Sequence, residues 1–499
     1  MIKRILLVDV EFDRTAGDHT QLHSRWTHHP IGLMYLASSV NRVFPEIEFR
    51  ILHTAVCDVA EESLVEAIGD FRPDLIGFRC LSLYQARFRA LAALAREKVP
   101  EAVIVAGGPY PTSSYRGGLE NGDADICVVG EGEETFIELV ARMRDGDRLP
   151  LDVAGTCVIG EGRVRINDGR ALITDVDAIP FPDYSLVDLE AYQGISNHAF
   201  QSSYDCAFIF ATRGCPYRCF YCHQFFGKQI RRRSPENVVG EMAAHYLERG
   251  TRTFVFLDDL FNVPKEKGKE VLRLIAKRLP DVKINFPNGL RADQLDDEFL
   301  DLLEEAGTVH LFLAIESATP RLQKLMGKNM KIERAMEFIH KASRRFIVGS
   351  FFMAGFPTET MDEVMHTISL AKELDYVAQP VLSIVRVYPG TSLFQSLNPT
   401  AEQARMIDSQ TMAAAQPRIH NESSFYGDFF PKDKVPLGGD DIKEIRWTWI
   451  REVFHNKERI QNSHGVLEKY LGQDQILVFY KNLFDNPAFD EHSLKNMLA

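Results

Sequence analysis

The stretch Thr212-Arg213-Gly214-Cys215-Pro216-Tyr217-Arg218-Cys219-Phe220-Tyr221-Cys222 holds three cysteines in the spacing CxxxCxxC. It follows the apolar run Ala207–Ala211, which is typical of a buried strand, so the cysteines fall on the loop after that strand. Three thiolates on one loop can ligate three irons of a [4Fe–4S] cluster and leave the fourth iron open to a substrate. Tetrahedral zinc is the alternative, with His223 as a fourth ligand.

The other five cysteines are widely scattered, mostly among apolar neighbours. Isolated cysteines of this kind usually behave as small buried hydrophobic residues. Crowded cysteines in an intracellular chain instead indicate metal binding or redox chemistry rather than a disulfide framework. The sequence therefore predicts a single cluster. The five scattered cysteines are Cys57, Cys80, Cys127, Cys157 and Cys206.

From Ala207 onward, apolar runs alternate with helical patterns through six predicted strands. This alternation predicts parallel strands joined by helices, here a partial (β/α)6 barrel of the TIM type. Chemistry in such barrels takes place at the carboxyl ends of the strands, which is where the cysteine loop falls. The predicted strands are Ala207–Ala211, Thr253–Leu257, Lys283–Phe286, Val309–Ile315, Ile347–Met353 and Val381–Val387.

The N-terminal part of the chain shows the same alternation with five strands. It predicts a Rossmann-like parallel sheet that is covered on both faces and binds its ligand at the carboxyl ends of the strands. The predicted strands are Ile5–Val10, Glu48–Leu52, Leu75–Arg79, Val103–Ala106 and Ile126–Val129.

The expected fold class is α/β with a mostly helical C-terminal domain. Pro180 and Pro182 disfavour helix and favour an extended connector, so the boundary between the two alternating series is placed near them. The predicted division is a Rossmann-like domain at 1–148, a linker at 149–200, the barrel at 201–395 and a substrate-shaping domain at 396–499.

The chain has 499 residues and a net charge of −13. This acidity argues against general nucleic-acid binding, which normally needs a basic face. The dense basic stretch Arg231-Arg232-Arg233 is predicted to be a solvated or structural face, with an anion contact as the alternative. Because no apolar run reaches the ~18 residues of a membrane span and no signal-peptide pattern opens the chain, we expect a cytoplasmic protein without a membrane span.

The cysteine motif, placed after the first strand of a strand–helix barrel, resembles the radical S-adenosylmethionine (SAM) superfamily. The resemblance implies that the open iron binds the methionine moiety of SAM. It also implies that the reduced cluster cleaves the sulfonium to a 5′-deoxyadenosyl radical, which abstracts hydrogen from a substrate. An electron donor such as a flavodoxin or ferredoxin is then an expected partner.

The resemblance extends to the ends of other predicted strands. Tyr221 matches an aromatic that lies near the adenine in this superfamily, although loop packing explains it equally well. Asp258 and Asp259 end the second strand, and either could accept a hydrogen bond from the methionine amino group. Glu316 ends the fourth strand and could accept hydrogen bonds from the ribose or the methionine moiety. Arg386, in a turn motif after the sixth strand, is a further candidate cofactor contact.

Three N-terminal motifs resemble the cobalamin-binding domain that precedes many radical SAM barrels. Glycines after strands let the backbone approach a large flat ligand, so Gly107, Gly108 and the run Gly130-Glu131-Gly132 are candidate contacts. The Asp-x-His-x-x-Gly motif, which supplies a histidine to cobalt in other cobalamin proteins, is missing. The resemblance implies a nucleotide tail in the mouth of the sheet and a contact at Ser82 and Leu83; a fold without cobalamin is the alternative. The motifs are His29-Pro30-Ile31-Gly32-Leu33-Met34-Tyr35, Val105-Ala106-Gly107-Gly108-Pro109 and Val128-Val129-Gly130-Glu131-Gly132.

Three functions fit these features. The first is a cobalamin-dependent radical methyltransferase that acts on an unactivated centre of a small molecule. The second is a radical cyclase or rearrangement enzyme without methyl transfer. The third is a non-catalytic iron–sulfur scaffold or sensor, against which the carboxylates at Asp258, Asp259 and Glu316 argue.

Overall fold

The computed structural model describes residues 2–12, 27–197, 202–223, 225–413, 425–484, 486 and 488–498. Within these ranges, no helix is both long and apolar enough to cross a membrane.

A seven-stranded sheet in the order β2-β1-β3-β4-β5-β6-β7 organises the N-terminal part. Neighbours among its first five strands are parallel, as predicted. Side chains alternate across β1, so Leu6 and Val8 pack into the apolar cluster on one face while Ile5 and Leu7 pack into the cluster on the other. The parallel strands are β1 (Arg4–Val10), β2 (Glu48–His53), β3 (Leu75–Cys80), β4 (Val103–Gly107) and β5 (Ile126–Val128).

Each parallel strand is followed by a helix that covers the sheet. Four of these helices match the predicted helical stretches Gly32–Val43, Glu61–Asp70, Ala86–Lys98 and Glu133–Arg144. For α4 only a helix start after Gly108 was predicted, without an extent, because its sequence is rich in proline and glycine. Pro109 stands in its first turn, where the missing N–H and the fixed φ of proline favour a helix start. The helices are α1 (Ile31–Val43), α2 (Ala60–Phe71), α3 (Gln85–Lys98), α4 (Pro109–Glu120) and α5 (Glu133–Arg144).

A hairpin extends this sheet beyond β5. Strands β6 (Thr156–Gly160) and β7 (Arg163–Ile166) are antiparallel, and β6 pairs with β5. The sequence analysis assigned these residues to a linker, but they form the edge of the N-terminal sheet. The pairing gives the backbone groups of β5 partners that an open edge would lack.

The second sheet has six parallel strands in the order β8-β11-β12-β13-β14-β15. Consecutive strands are neighbours, as in a barrel, and β15 and β8 form its two edges, so the barrel is partial, as predicted. A short antiparallel ribbon, β9 with β10, branches from the end of β8. The strands are β8 (Cys206–Ile209), β9 (Thr212–Arg213), β10 (Arg231–Arg232), β11 (Thr253–Phe256), β12 (Lys283–Leu290), β13 (Thr308–Glu316), β14 (Ile347–Ala354) and β15 (Gln379–Ile384).

The helices that follow the barrel strands lie close to the helical patterns of the sequence, which predict Pro235–Glu248, Lys265–Lys277, Asp297–Glu305, Ile332–Arg344 and Thr360–Leu374. One addition is α9, a short helix between β13 and the predicted helix α10. Its first residue is Pro320, and Gly327, in the left-handed conformation, ends it. The helices are α6 (Pro235–Glu248), α7 (Lys265–Arg278), α8 (Asp297–Glu305), α9 (Pro320–Met326), α10 (Ile332–Ser343) and α11 (Met361–Lys372).

The C-terminal part is mostly helical and packs on the barrel. The Tyr426 hydroxyl donates to the Gly355 carbonyl at 2.7 Å, and Trp449 lies against Phe352 with ring centroids 5.1 Å apart. Helix α13 reaches back to the N-terminal domain and contacts the 3₁₀ turn Ser82–Tyr84. The helices are α12 (Ser392–Leu397), α13 (Ala401–Ala413), α14 (Gly439–Trp449), α15 (Lys457–Leu467), α16 (Gln473–Leu483) and α17 (Glu491–Leu498).

Candidate active site and cofactor cavity

The cysteine loop lies between β9 and β10, at the carboxyl end of the barrel. Gly214, with φ +92°, closes the loop tightly: a Cβ there would lie 2.4 Å from the Gln229 carbonyl oxygen. The Cys215 amide donates to the Gly227 carbonyl at 3.2 Å, which joins the two ends of the loop. Cys222 is exposed and Cys215 and Cys219 are partly buried, so the three thiols can be reached.

The remaining five cysteines are buried, as the sequence predicted. Across the part of the chain that the structure describes, no three His, Cys, Asp or Glu side chains converge as ligands of a single metal ion. A [4Fe–4S] cluster holds each thiolate on its own iron, so its ligands need not converge in that way.

Asp258 holds the cysteine loop to the neighbouring strand. Its carboxylate accepts hydrogen bonds from the Thr212 hydroxyl at 2.6 Å and from the Ala211 amide at 3.1 Å. Burial raises the pKa of this carboxyl to about 6, while these hydrogen bonds oppose the shift. Asp258 is thus engaged within the protein, and its neighbour Asp259 is exposed. Asp259 lies close enough to the Cys215 thiol to raise its pKa, although burial of that thiol is the larger cause.

Glu316 ends β13 and faces the cysteine loop. It has a positive φ of 69°, and its carboxylate accepts from Lys328 Nζ at 2.7 Å and from the Tyr221 hydroxyl at 3.4 Å. The sequence analysis missed Lys328, because it belongs to the loop after α9 and no motif marks it. Burial raises the pKa of the Cys219 thiol, and the positive charge of Lys328 counteracts that shift.

Aromatic side chains line the same side of the barrel mouth. Tyr221 lies 5.7 Å from Phe356, and Phe220 stacks on Phe356 at 6.1 Å, measured between ring centroids. Arg386 is half-buried after β15 and forms no ion pair or hydrogen bond with any residue that the structure describes. It therefore keeps its charge available for an anion.

A cavity of about 770 Å³ lies at the carboxyl edge of the N-terminal sheet, against the barrel. This volume is at the upper end of the range for ligand pockets. One side is formed by the ends of the strands, including Leu83, Gly107, Gly108, Gly130, Glu131 and Gly132 from the sequence prediction. The opposite side is formed by residues that precede or follow the cysteines: Phe210, Arg213, Phe225 and Phe226. Ser82 does not line the cavity; its turn contacts α13.

A buried ion-pair network closes the cavity between the two domains. Arg213 donates to Glu131 at 3.0 Å and to Glu133 at 2.5 Å, and Arg231 donates to Glu131 at 2.7 Å. Burial tends to raise the pKa of Glu131, but the two guanidinium groups and the Ile173 amide hold it below its usual value. Glu131 thus lines the cavity while its carboxylate oxygens bind arginines.

The other two arginines of the basic stretch are also structural. Arg232 donates to the Val263 carbonyl at 2.7 Å, and Arg233 binds Glu241 at 2.5 Å. Both contacts lie within the barrel. The prediction of a structural role for Arg231-Arg232-Arg233 is therefore confirmed, and the three side chains are largely buried rather than solvated.

Residues 209–371 match the model of the radical SAM superfamily, and residues 22–140 match that of the B12 binding domain. An uncharacterized methyltransferase of Pyrococcus horikoshii is 30% identical over 372 residues, which cover 73% of this chain and 78% of the relative. The chain belongs to the radical SAM superfamily. It carries a B12-binding domain ahead of the radical SAM barrel, and the cofactors of these two domains are a [4Fe–4S] cluster, SAM and cobalamin.

Further relatives of this radical SAM enzyme differ in their named activities. The cytidylyl-2-hydroxyethylphosphonate methyltransferase of Streptomyces wedmorensis is 28% identical, covering 64% of this chain and 65% of that one. The anaerobic magnesium-protoporphyrin IX monomethyl ester cyclase of Cereibacter sphaeroides is 27% identical, and the match covers 75% of this chain and 61% of that one.

Two solved structures share its fold. The radical SAM methyltransferase TsrM of Kitasatospora setae, solved with cobalamin and a [4Fe–4S] cluster, has a TM-score of 0.64 and 19% identity, covering 80% of this chain and 75% of that one. The cobalamin-dependent radical SAM enzyme OxsB, solved with aqua-cobalamin, has a TM-score of 0.66 and 16% identity, and the match covers 99% of this chain and 75% of that one.

The cavity of this radical SAM enzyme fits a large flat cofactor. Gly108 has φ +90°, and a Cβ there would lie 3.1 Å from the Arg79 side chain; at Gly77 it would lie 2.7 Å from Leu7. Side chains are thus excluded where a ligand would approach the backbone.

His29 also lines the cavity, and its ring packs edge-on against Tyr184, Tyr192 and Phe208. Its Nε2 lies 2.8 Å from the Ser203 carbonyl, which can only accept, so Nε2 carries the proton. Burial lowers the pKa of His29 to about 3, so the ring is neutral. Nδ1 is buried without a partner among the described residues.

Replacing Asp258 and Asp259 separately by alanine will distinguish a structural role from a role in SAM binding. We expect Asp259→Ala to weaken SAM binding by about 10- to 100-fold, since a hydrogen bond to a charged group contributes about 1.5–3 kcal/mol. Its urea midpoint should be unchanged. Asp258→Ala should instead lower the midpoint, because the Ala211 amide loses its buried acceptor. Equilibrium binding of SAM to the reconstituted protein and urea unfolding measure the two effects; a weakened affinity only in Asp258→Ala would reverse the assignment.

Glu359 makes stability depend on pH. The side chain is fully buried, accepts from the Gly355 and Phe356 amides, and keeps its Oε1 without a partner among the described residues. Burial raises its pKa from 4.5 to about 7, so the folded state holds the proton more tightly than the unfolded state. The stabilisation is complete below pH 4.5 and is lost as the pH rises to about 7, a change of about 3 kcal/mol.

The matched variant Glu359→Gln removes this titration. Urea unfolding at a series of pH values should give the wild type a steeper loss of unfolding free energy across this window than Glu359→Gln. Parallel curves for the two proteins would contradict the raised pKa.

Proposed function

We propose that this protein is a cobalamin-dependent radical SAM methyltransferase that methylates an unactivated centre of a small-molecule substrate. The observation that carries the proposal is the position of the cavity, which is bounded by Phe210, Arg213, Phe225 and Phe226 beside the cysteine loop. A cofactor bound there would be presented directly to the barrel mouth. The names of the Pyrococcus and Streptomyces relatives, both methyltransferases, support the same function.

In this proposal the barrel residues hold and orient SAM. Cys215, Cys219 and Cys222 ligate the cluster, which with SAM supplies a 5′-deoxyadenosyl radical, while cobalamin supplies the methyl group. Asp259 accepts from the amino group of SAM, and Arg386 offers a cation to an anionic group at the mouth. Glu316, held by Lys328, accepts from a ribose hydroxyl.

The N-terminal residues hold cobalamin. Leu7, Gly77, Val105 and Val128 form an apolar slot within the cavity, suited to the base of the nucleotide tail. Gly108 and Gly130 allow the backbone to approach the ring, and Leu83 lies on the turn after β3 without offering a ligand to cobalt. The phenyl rings of Phe225 and Phe226 exclude water from the side that faces the barrel.

The test is anaerobic reconstitution with iron, sulfide and cobalamin, followed by incubation with methyl-deuterated SAM, a reductant and candidate small molecules. A product that carries the deuterated methyl group, together with 5′-deoxyadenosine, supports the proposal. Formation of 5′-deoxyadenosine with an unlabelled product favours a cyclase or rearrangement enzyme, the activity named for the Cereibacter relative. Absence of both would favour the scaffold hypothesis.

A further inference from the structure

Acidic residues are absent from two segments that meet at the cysteine loop. Residues 206–235 contain no aspartate or glutamate, and neither do residues 317–332, in a chain with 70 acidic residues and a net charge of −13. The first segment includes the cysteine loop, and the second includes α9 and the loop that follows it.

The two segments are in direct contact. The Phe220 amide donates to the Met326 carbonyl at 3.0 Å. Gly327 approaches the loop so closely that a Cβ there would lie 2.5 Å from the Arg218 carbonyl oxygen. The loop that would hold the cluster and the end of α9 therefore form one continuous surface.

Four exposed cations on this surface have no acidic partner. Arg218, Lys228, Lys324 and Lys331 form no ion pair within the part of the chain that the structure describes; Lys228 only donates to the Tyr217 carbonyl at 3.0 Å. Two of the nearby carboxylates are neutralised, since Asp293 binds Arg291 at 2.7 Å and Glu316 binds Lys328 at 2.7 Å. Asp259, beside Cys215, forms no ion pair within the described residues, so a single carboxylate stands against four cations. The surface thus carries a local excess of positive charge. We name these four residues the basic rim.

We propose that the basic rim is the docking surface of a small acidic electron-carrier protein. The inference rests on the proposed function, in which the cluster must receive one electron from outside for each SAM that is cleaved. That electron leaves the reduced carrier, which is thereby oxidised, and enters the cluster. The rim lies on the cysteine loop and on the segment packed against it, so a carrier bound there comes close to the cluster.

Charge complementarity favours a protein of this kind. A local positive patch on an otherwise acidic molecule attracts and orients an acidic partner, and such steering raises association rates by about 10- to 10³-fold at low salt. A small carrier can confine its negative charge to the rim, whereas a polynucleotide carries its charge along an extended chain and would also meet the acidic remainder of the surface. The contact should be weak and sensitive to salt, as expected for a partner that must leave after each electron.

The test compares two charge-reversal variants of the reconstituted full-length protein. Lys324→Glu/Lys331→Glu changes two rim residues outside the cysteine loop. Lys277→Glu/Arg278→Glu, the matched control, makes the same change at two exposed cations without acidic partners at the end of α7, on the opposite side of the barrel. Stopped-flow absorbance measures the rate of cluster reduction by reduced flavodoxin, a small acidic carrier, and by dithionite.

We expect the rim variant to be reduced by flavodoxin at least ~10-fold more slowly at low salt, with a weaker dependence on salt than the wild type. The control variant should behave as the wild type, and dithionite should reduce all three proteins equally. Unchanged flavodoxin rates in the rim variant, or equal slowing in the control, would overturn the inference. Tight binding of single-stranded RNA that is lost in the rim variant would also overturn it, in favour of a nucleic-acid surface.

The two proposals can fail separately. Formation of 5′-deoxyadenosine with dithionite tests the radical function and does not involve the rim. The ratio of flavodoxin to dithionite rates tests the rim and requires only that the cluster assembles.

Discussion

We expect the Cys219→Ala variant to lose SAM cleavage, with 5′-deoxyadenosine falling by at least ~10³-fold, equivalent to about 4 kcal/mol of activation free energy. Cys219 supplies one of three thiolates on a loop with no further cysteine, so no neighbouring sulfur can replace it. Loss of one ligand leaves the cluster without its open-iron geometry. Iron analysis, the absorbance of the reconstituted cluster and chromatography of 5′-deoxyadenosine measure the effect.

The matched control is Cys206→Ala. Cys206 is buried in β8 a few residues before the loop, so this change removes a thiol from the same region without touching the proposed cluster ligands. It should keep the wild-type iron content and SAM cleavage, with only a modest loss of stability. Retained activity in Cys219→Ala, or an iron content that requires a second cluster in the wild type, would refute the single-cluster assignment.

The second large effect is expected at the ion-pair network between the domains. Among the described residues, Arg213 is the only hydrogen-bond or ion-pair partner of the Glu133 carboxylate. Arg213→Met therefore leaves this buried carboxylate without a counter-charge. Breaking a buried pair in this way costs about 3–5 kcal/mol. Urea unfolding should show a correspondingly lower midpoint. Because Arg213 also lines the cavity next to the cysteine loop, cobalamin retention on gel filtration should fall as well.

Two further variants test whether the unpaired Glu133 charge causes the lower urea midpoint of Arg213→Met. Arg213→Met/Glu133→Gln removes the unpaired charge and should regain a large part of the lost stability, while Glu131 keeps its bond to Arg231. Arg142→Met breaks an exposed ion pair with Asp147 and should change the midpoint little. If Arg142→Met and Arg213→Met lowered the midpoint equally, the buried network would not be the source of the lost stability.

Much of the fold follows from patterns that are local in the sequence. The alternation of apolar and helical stretches predicted the eleven parallel strands, because parallel strands buried on both faces read as short continuous apolar runs. Elements without such a signal were predicted incompletely. The start of α4 after Gly108 was predicted but its extent was not, because α4 contains four proline or glycine residues. Strands β6 and β7 were assigned to a linker, because β6 pairs with β5 across the intervening helix α5 and no short hairpin pattern marks that pairing.

In the candidate site, too, features with a local sequence signal were predicted and features that depend on distant contacts were not. The cysteine spacing placed the cluster loop correctly after β8, because the spacing is a property of one short segment. The sequence did not show which of Asp258 and Asp259 is engaged within the protein. That depends on hydrogen bonds to Asp258 from the Thr212 hydroxyl and the Ala211 amide, which follow the neighbouring strand. Glu131 was predicted to contact a cofactor, and the structure brings two arginines from the barrel onto its carboxylate.

The sequence by itself determined the superfamily, the strand order along the chain and the three cysteines, because each depends on residue types at fixed local spacing. Only the tertiary structure decided which side chains remain available to ligands. His29 and Arg213 contact residues 174 and 82 positions away in the sequence, and Lys328 contacts one 12 positions away. These partners, which only the folded chain brings together, determine whether each charge is used within the protein or left for a ligand.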